Sequence, residues 1–419
     1  MDPRLSPRRT EHSLGAPWPR ALTGPYSRAL TRPYSRALTR PYAAAAVLAV
    51  AALCLAACSS SPSSSASSTT SSSTPASAAT LQSLQSKAPT SPVSLTESGS
   101  SLLYPLFNLW VPGAKSKFPN ISVTTASTGS GTGISAAATG TVQIGASDAY
   151  LSPTEVHDYP GLMNIPLAIS SQFIAYNLPG NLDKTHLKLT GKLLSEIYQG
   201  QVTKWNASQI TSLNPGVSLP DIPIVTVHRT DSSGDTFLFT SFLSDTDPSG
   251  WGAKYSYSTS VAFPAISGAL GAEKNSGMLD TCKATVGCIA YIGISYLSKS
   301  SAAGLGEAEL QNKSGSFELP TTTNIASEAA GYASTTPSTG TISMIYGSAP
   351  SGYPIVNYEY AIVQTHQSSA QDAAAIQAFL AWAIDTNGGS APSYLGQVGF
   401  VPLPSRIAQN SVNQLAKIS

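Results

Sequence analysis

Charge is scarce in this chain of 419 residues: Asp, Glu, Lys and Arg make up 11%, less than half of the ~25% usual for a soluble domain. The 23 basic and 22 acidic residues nearly cancel, leaving a net charge of +1. That balance averages two unlike pieces. Residues 1–57 hold eight Arg against Asp2 and Glu11, whereas the remainder carries 15 basic and 20 acidic residues, a net charge of −5. The second piece therefore offers no basic tract for nucleic acid or for a polybasic membrane contact. Cysteine and histidine are also sparse, at four and five residues. His12, His157, His186, His228 and His366 show no metal-ligand spacing such as His-Glu-x-x-His. An ordinary membrane span needs about 20 apolar residues; the apolar run Ala43–Ala57 has 15. Composition excludes collagen-like, coiled-coil and multi-span membrane classes. What remains, about 320 residues after a linker, is more than one average domain and predicts two lobes with their own cores.

The N-terminus reads as an address. An Arg-rich octapeptide recurs three times, at Arg20–Ser27, Arg28–Ser35 and Arg36–Tyr42. A period of eight is too short for a stacked repeat fold, whose units are usually ~20–50 residues. Each copy contains a Pro and little to bury, so residues 1–42 are expected to be a long n-region or an upstream extension from a mis-set start. The apolar run 43–57 suits a signal-peptide h-region, which places residues 1–57 in a signal sequence. It ends Leu55-Ala56-Ala57-Cys58, which resembles a bacterial lipobox with Cys58 as the lipidated, palmitate-bearing mature N-terminus. Ser59–Pro92 is rich in Ser, Thr, Ala and Pro and carries only Lys87 as a charge, so residues 58–92 are expected to be a lipidated Cys and a solvated tether. The expected location is the extracytoplasmic face of the cell membrane.

Cys54 would leave with the signal, and Cys58 would be the anchor. Cys282 and Cys288 remain, six apart, with no His within 50 residues of either. In an exported chain such a pair predicts a disulfide rather than a metal site, which needs more ligands nearby.

From Val93 onward, short apolar strands alternate with helix-like stretches. Strands are expected at 94–97, 120–126, 142–145, 173–177, 222–228 and 353–363. Helices are expected at 102–117, 134–139, 189–198, 236–243 and 370–386. The alternation predicts α/β lobes with largely parallel sheets, whose ligands bind outside the carboxyl ends of the strands. Three strand-to-helix loops share one chemistry: Ser98-Gly-Ser-Ser-Leu102, Thr128-Gly-Ser-Gly-Thr-Gly133 and Arg229-Thr-Asp-Ser-Ser-Gly-Asp235. Each sets small hydroxyl side chains and Gly just before a helix, where free N–H groups and the helix dipole favour an anion. One such loop is an ordinary helix cap; three in one chain, one of them with an Arg, point to an oxyanion ligand. Asp148 lies at the same lip, just after a strand. A carboxylate there has a physical use: it accepts a hydrogen bond from an acidic O–H on the ligand. Phosphate near neutral pH keeps a proton and sulfate has none, so Asp148 would repel sulfate.

The stretches Glu-Ser-Gly-Ser-Ser-Leu-Leu-Tyr-Pro (97–105), Thr-Gly-Ser-Gly (128–131), Ile-Gly-Ala-Ser-Asp-Ala (144–149), Ile-Tyr-Gln-Gly (197–200), Leu-Asn-Pro-Gly (213–216) and His-Arg-Thr-Asp-Ser-Ser-Gly-Asp-Thr (228–236) stand in this order. Through them the chain strongly resembles the PstS-type phosphate-binding lipoproteins of bacterial phosphate ABC importers, over about residues 93–419 and the lipobox. The resemblance implies a two-lobed, type II periplasmic-binding-protein-like α/β fold that closes on one inorganic phosphate. It implies one lobe from 93–170 and 358–419 and another from 171–357, with hinges near Ser170 and Asn357. It implies donors at Ser100, Ser101 and Leu102, at Ser130, and at Ser233 and Gly234, with Arg229 as the main positive charge and Asp148 as proton acceptor. Asp235 stands where many family members have Thr; it would accept a second ligand proton or pair with Arg229. The partners implied are transmembrane permease subunits with a cytoplasmic ATPase, and the membrane through the lipid. No cofactor, metal or nucleic acid is implied, and no enzymatic activity. A hydrolase is the first rival, but no Gly-x-Ser-x-Gly elbow occurs, and His228 reads as a strand residue rather than a general base. A surface adhesin or antigen is the second, and a sulfate or molybdate binder, opposed by Asp148, the third.

Overall fold

The computed structural model describes residues 76–419; the octapeptide copies, the apolar run and Cys58 lie outside the described residues. The first element, α1 (Ala76–Gln85), falls inside the stretch expected to be a tether. Leu81 and Leu84, three apart and so on one helix face, are both buried. Gln85 Nε2 donates to Asp385 Oδ2 at 2.9 Å. The expectation of a solvated tether reaching Pro92 is therefore corrected: two leucines in a Ser/Ala-rich run dock its last part on the body.

The body opens with β1 (Val93–Gly99), α2 (Tyr104–Lys117), β2 (Ile121–Ser127), α3 (Ser130–Ala138), β3 (Ile144–Ser147) and the long β4 (Leu162–Tyr176). After α4 (Gly191–Tyr198) come β5 (Val225–Arg229), α5 (Gly234–Thr246), β6 (Leu270–Ala272), α6 (Lys274–Ala284) and β7 (Cys288–Gly293). The chain closes with β8 (Val356–Gln364), α7 (Ala370–Ala383) and α8 (Ser405–Leu415). Strand order is β2-β1-β3-β8-β4-β7-β5-β6.

Parallel pairing is confined to the two ends of this path, where β1 joins β2 and β3, and β5 joins β6 and β7. In the middle, β8 and β4 run antiparallel to every neighbour. The expectation of largely parallel sheets thus holds for the ends and is corrected at the centre, where the chain crosses and returns. Leu162–Ser171 of β4 pair with β8, and Gln172–Tyr176 pair with β7. One strand is therefore shared by two halves, and the result is a two-lobed α/β fold.

Each half has its own core. Phe107 and Trp110 of α2 meet edge to face at 5.3 Å, with Phe379 6.1 Å from Phe107 and Leu95 and Ile144 buried in the same core. In the other half Phe239 stacks on Tyr291 at 4.5 Å, and Tyr198 meets Phe239 edge-on at 4.7 Å. Burying each such ring contributes roughly 2–3 kcal/mol. The Tyr198 hydroxyl donates to Val227 O at 3.0 Å, so its burial leaves no stranded polar group. Cys282 and Cys288 are joined by a disulfide, as expected, tying the end of α6 to the start of β7.

Two helices begin earlier than apolar spacing predicts, α3 at Ser130 rather than Ile134 and α5 at Gly234 rather than Thr236. Capping sets the second start, where Ser233 Oγ accepts from Thr236 N at 3.3 Å, whereas α3 follows Gly129 at a φ of 93° with no side-chain cap. Ser130 and Gly234 are consequently first-turn residues, with N–H groups that have no helical carbonyl four residues back.

Candidate functional site

The carboxyl ends of β1, β2, β3 and β5 lie on one lip. Gly99 ends β1 at a φ of 149°, and a Cβ there would stand 2.0 Å from Ala146 O. Only glycine lets β1 press against β3 at this point, which sets Ser100 beside Asp148. The Ser100 hydroxyl donates to Asp148 Oδ1 and accepts from the backbone of Leu102 at 3.1 Å and Leu103 at 2.9 Å, just ahead of α2. Ser130, the first residue of α3, donates to Asp148 Oδ2 at 3.2 Å and accepts from Asp148 N at 3.2 Å. Gly234, the first residue of α5, comes in from the other lobe. A Cβ on it would stand 2.5 Å from Asp148 Oδ2 and 2.6 Å from Ser130 Oγ. Three helix N-termini therefore converge on one buried carboxyl group.

Arg229 adjoins this centre from the end of β5 and is 5% exposed. Its Nε and Nη2 donate to the two oxygens of Asp231, and its Nη1 donates to Asp235 Oδ2 at 2.9 Å. Burial opposes the guanidinium charge, but the two carboxylates outweigh it and raise Arg229 above its ordinary range. Asp231 is correspondingly lowered; its own burial is outweighed by Arg229. Asp235 is completely buried. Burial first, then the Asp148 charge, push it up to about 7 against the pull of Arg229. Of the two roles open for Asp235, the pairing with Arg229 is the one the geometry contains.

Ser101 and Leu102 meet the opposite lobe. Ser101 Oγ accepts from Asn275 N and Asn275 Nδ2, both at 3.0 Å. Leu102 O accepts from Ser295 Oγ at 2.7 Å, and a Cβ on Gly293 would lie 2.5 Å from Leu102 Cδ1. Ser233 caps α5 and is buried, and Gly131 N donates to Ser232 O at 3.1 Å. His228 lies in β5 with its ring stacked on Phe263 at 4.7 Å, and burial lowers its pKa. It behaves as a strand residue.

Asp148 is 2% exposed. Burial raises its pKa, opposed by hydrogen bonds from Glu359 and Ser100, the Arg229 charge and Ser130. Glu359, from β8, is buried beside it and raised well above the ordinary range by burial and by the Asp148 charge. Four residues of this centre escaped the sequence reading: Asp231, Asn275, Gln172 and Glu359. Asp231 had a signal, standing two residues after Arg229 in the third loop. Gln172 Nε2 reaches Asp235 Oδ1 at 3.1 Å from the switch point of β4. Asn275 and Glu359 stand in an ordinary helix and an ordinary buried strand, and only the tertiary fold brings them here.

Paired α/β halves whose helix N-termini meet at one buried, donor-rich centre are the arrangement of bilobal binding proteins. A family model described as a PBP superfamily domain matches residues 63–387, and the chain belongs to that superfamily. Among curated proteins it is 29% identical over 320 residues to the phosphate-binding protein PstS of Xylella fastidiosa (strain 9a5c), covering 76% of this chain and 84% of that one. It is 28% identical over 329 residues to the protein of the same name from Methanocaldococcus jannaschii, covering 74% and 82%. Among solved structures, a high-affinity periplasmic phosphate-binding protein (PfluDING) bound with phosphate aligns with a TM-score of 0.60 at 20% identity, over 76% of this chain and 92% of that one. An ancestral soluble variant of the human phosphate binding protein aligns with a TM-score of 0.60 at 22% identity, over the same shares. These two structures share the fold.

Proposed function

We propose that the chain is an extracytoplasmic receptor that binds inorganic phosphate between its lobes and delivers it to a phosphate ABC importer. The observation that carries this reading is Asp148, a buried carboxyl group at the meeting point of three helix N-termini. A site of N–H and O–H donors alone would take any small oxyanion. A carboxylate among them selects one that carries its own proton, which phosphate does near neutral pH and sulfate does not. The names of the curated relatives support the same ligand, and those relatives are named as binding proteins rather than enzymes.

In this reading Ser100 and Ser130 turn their hydroxyl groups from Asp148 to the ligand, and Ser101, Leu102, Ser233 and Gly234 add donors, partly through backbone N–H. Arg229 supplies the positive charge. Asp231 and Asp235 hold it rigid and partly neutralise it, so the ligand is gripped by hydrogen bonds more than by net charge. The −5 of the chain beyond residue 57 acts in the same sense: the long-range field opposes an anion, and affinity comes from local dipoles.

The lobes are proposed to comprise 93–170 with 358–419, and 171–357, moving about hinges near Ser170 and Asn357. Residues 1–57 are proposed to direct export, and Cys58 to anchor the receptor by lipid beside the permease subunits and their ATPase. Mass spectrometry of membrane-extracted protein tests the anchor: an N-terminal peptide starting at an acylated Cys58 is expected, and an unmodified Cys58 within a longer chain contradicts it. Isothermal titration tests the ligand, with saturable 1:1 phosphate binding expected and its absence overturning the proposal.

A further inference from the structure

One fully buried carboxyl group has no part in the roles above. Glu359, in β8, has its Oε1 3.0 Å from Asn357 Nδ2 and also within hydrogen-bond reach of Ser170 Oγ. Its Oε2 accepts from no donor among the described residues. Glu359 lies beside Asp148 across the β3–β8 pair: Tyr360 stands opposite Ser147, so Glu359 and Asp148 follow as the next opposed pair, and Asn357 Nδ2 reaches both Asp148 O and Glu359 Oε1. Two carboxyl groups form a hydrogen bond only through a proton that one of them keeps.

The surroundings decide which one keeps it. Asp148 accepts from Ser100 on Oδ1 and from Ser130 on Oδ2, and it feels the Arg229 charge, all of which favour its ionised form. Glu359 offers one oxygen to donors and leaves the other bare, and the strongest charge acting on it is that of Asp148. Beyond Asp148 the charged groups are Arg229, Asp231 and Asp235 from β5 and the loop leading into α5. On its own strand the neighbouring Tyr360 is also buried. A bare, ionised carboxylate in that position is strongly disfavoured, whereas an un-ionised acid has a ready acceptor in Asp148.

Building on the phosphate reading of the cleft, we propose that Glu359 is a positioning residue: un-ionised, it donates from Oε2 to Asp148 and keeps Asp148 an ionised acceptor for the O–H of the ligand. Asn357 Nδ2 also reaches Asp148 O at 3.3 Å, and Asn357 pairs with Ser170 in the ladder between β8 and β4. Glu359 therefore ties the acceptor to the strands that join the lobes. Burial first, and then the Asp148 charge, raise Glu359 in agreement with this protonation. Without the donor, Asp148 would hold a proton more readily, and a protonated Asp148 donates to sulfate as easily as to phosphate.

Two variants of the purified protein test this. Infrared difference spectra of wild type minus Glu359→Gln at pH 7 should contain the C=O band of an un-ionised carboxyl group. Absence of that band overturns the proposal. In competition titrations, Glu359→Leu should lose roughly tenfold or more of the preference for phosphate over sulfate, while Glu359→Gln, which can still donate, should stay within about twofold of wild type. A Leu variant with wild-type preference also overturns it. The infrared comparison needs only the isosteric Gln variant, so it decides the matter even where the Leu variant does not fold. The band does not depend on ligand, so its absence contradicts Glu359 alone, whereas failure of wild type to bind phosphate contradicts the reading beneath it.

Discussion

Asn275 bonds Ser101 twice across the cleft, from its backbone N–H and from its Nδ2, each at 3.0 Å. The same amide donates to Asp235 Oδ2 at 2.6 Å and accepts from Gly293 N at 2.7 Å, so every polar atom of this buried side chain is used. In the proposed lobe division Asn275 and Ser101 fall in different lobes, and we propose that the pair latches the two together in the closed, ligand-bound form.

Replacing Asn275 by Ala should leave each lobe folded and loosen the latch. The groups stranded by the change cost about 1–3 kcal/mol in the closed form, so phosphate affinity should fall roughly tenfold or more. Titration calorimetry measures the affinity, and small-angle scattering should show a larger radius of gyration without ligand. Unchanged affinity would remove Asn275 from the closing machinery.

Asp148→Asn keeps the size of the side chain and replaces one acceptor oxygen by a donor. Folding should be unaffected by circular dichroism. Discrimination between phosphate and sulfate should relax by roughly tenfold or more, because the amide can donate to sulfate where the carboxylate repels it. A variant with full preference for phosphate would contradict the role given to the carboxylate.

Asp235 sits at about 7 because burial and the Asp148 charge raise it. Below that pH it carries a proton and leaves more of the Arg229 charge uncompensated; above it, the ionised carboxylate competes with an anionic ligand. Affinity for phosphate should therefore fall as pH rises through about 7. Phosphate itself titrates in this range, so the informative quantity is the wild-type profile divided by that of Asp235→Asn. The ratio should decline with rising pH; a flat ratio would show that Asp235 does not titrate there.

Glu97, in β1, is buried with Thr125 as donor to one oxygen and, among the described residues, no donor to the other. Burial raises it from 4.5 to about 8, with Thr125 and the Ala126 backbone opposing. The folded chain thus holds this proton more tightly than the unfolded chain does. The resulting stability is complete below about pH 4.5 and is lost as pH rises through about 8. Urea unfolding between about pH 5 and pH 8 should show stability falling with pH, and Glu97→Gln should flatten the slope. An equal slope in the variant would locate the effect elsewhere.

The Cys282–Cys288 disulfide closes a short loop, so its reduction should cost on the order of 2 kcal/mol and leave phosphate affinity nearly unchanged. Thermal unfolding with and without reductant measures the first, and titration of the reduced protein the second. Two free thiols in the non-reduced protein would contradict the bond.

The fold class was legible in the sequence, and so was part of the cluster that gathers at Asp148. Ser100, Ser130 and Gly234 were legible because Gly and hydroxyl residues ahead of a helix have a local meaning, and the fold brings all three to Asp148. Strand β4 was legible only in part. Residues 173–177 were seen, but Leu162–Ser171 were not, since a strand buried on both faces lacks alternation. Which strands turn back antiparallel is decided by chain crossing, which no local pattern encodes. Leu81 and Leu84 were hidden in a polar run because one pair of leucines makes no periodicity. Asn275 and Glu359 are the clearest cases: each looks ordinary in its own element, and its meaning comes from Ser101 or Asp148 on a distant one.

The most direct test is calorimetric titration of the purified protein with phosphate in the presence and absence of excess sulfate. Saturable 1:1 phosphate binding that excess sulfate leaves unchanged is expected. No saturable binding, or displacement of phosphate by sulfate at equal concentration, would contradict a phosphate receptor selected by Asp148.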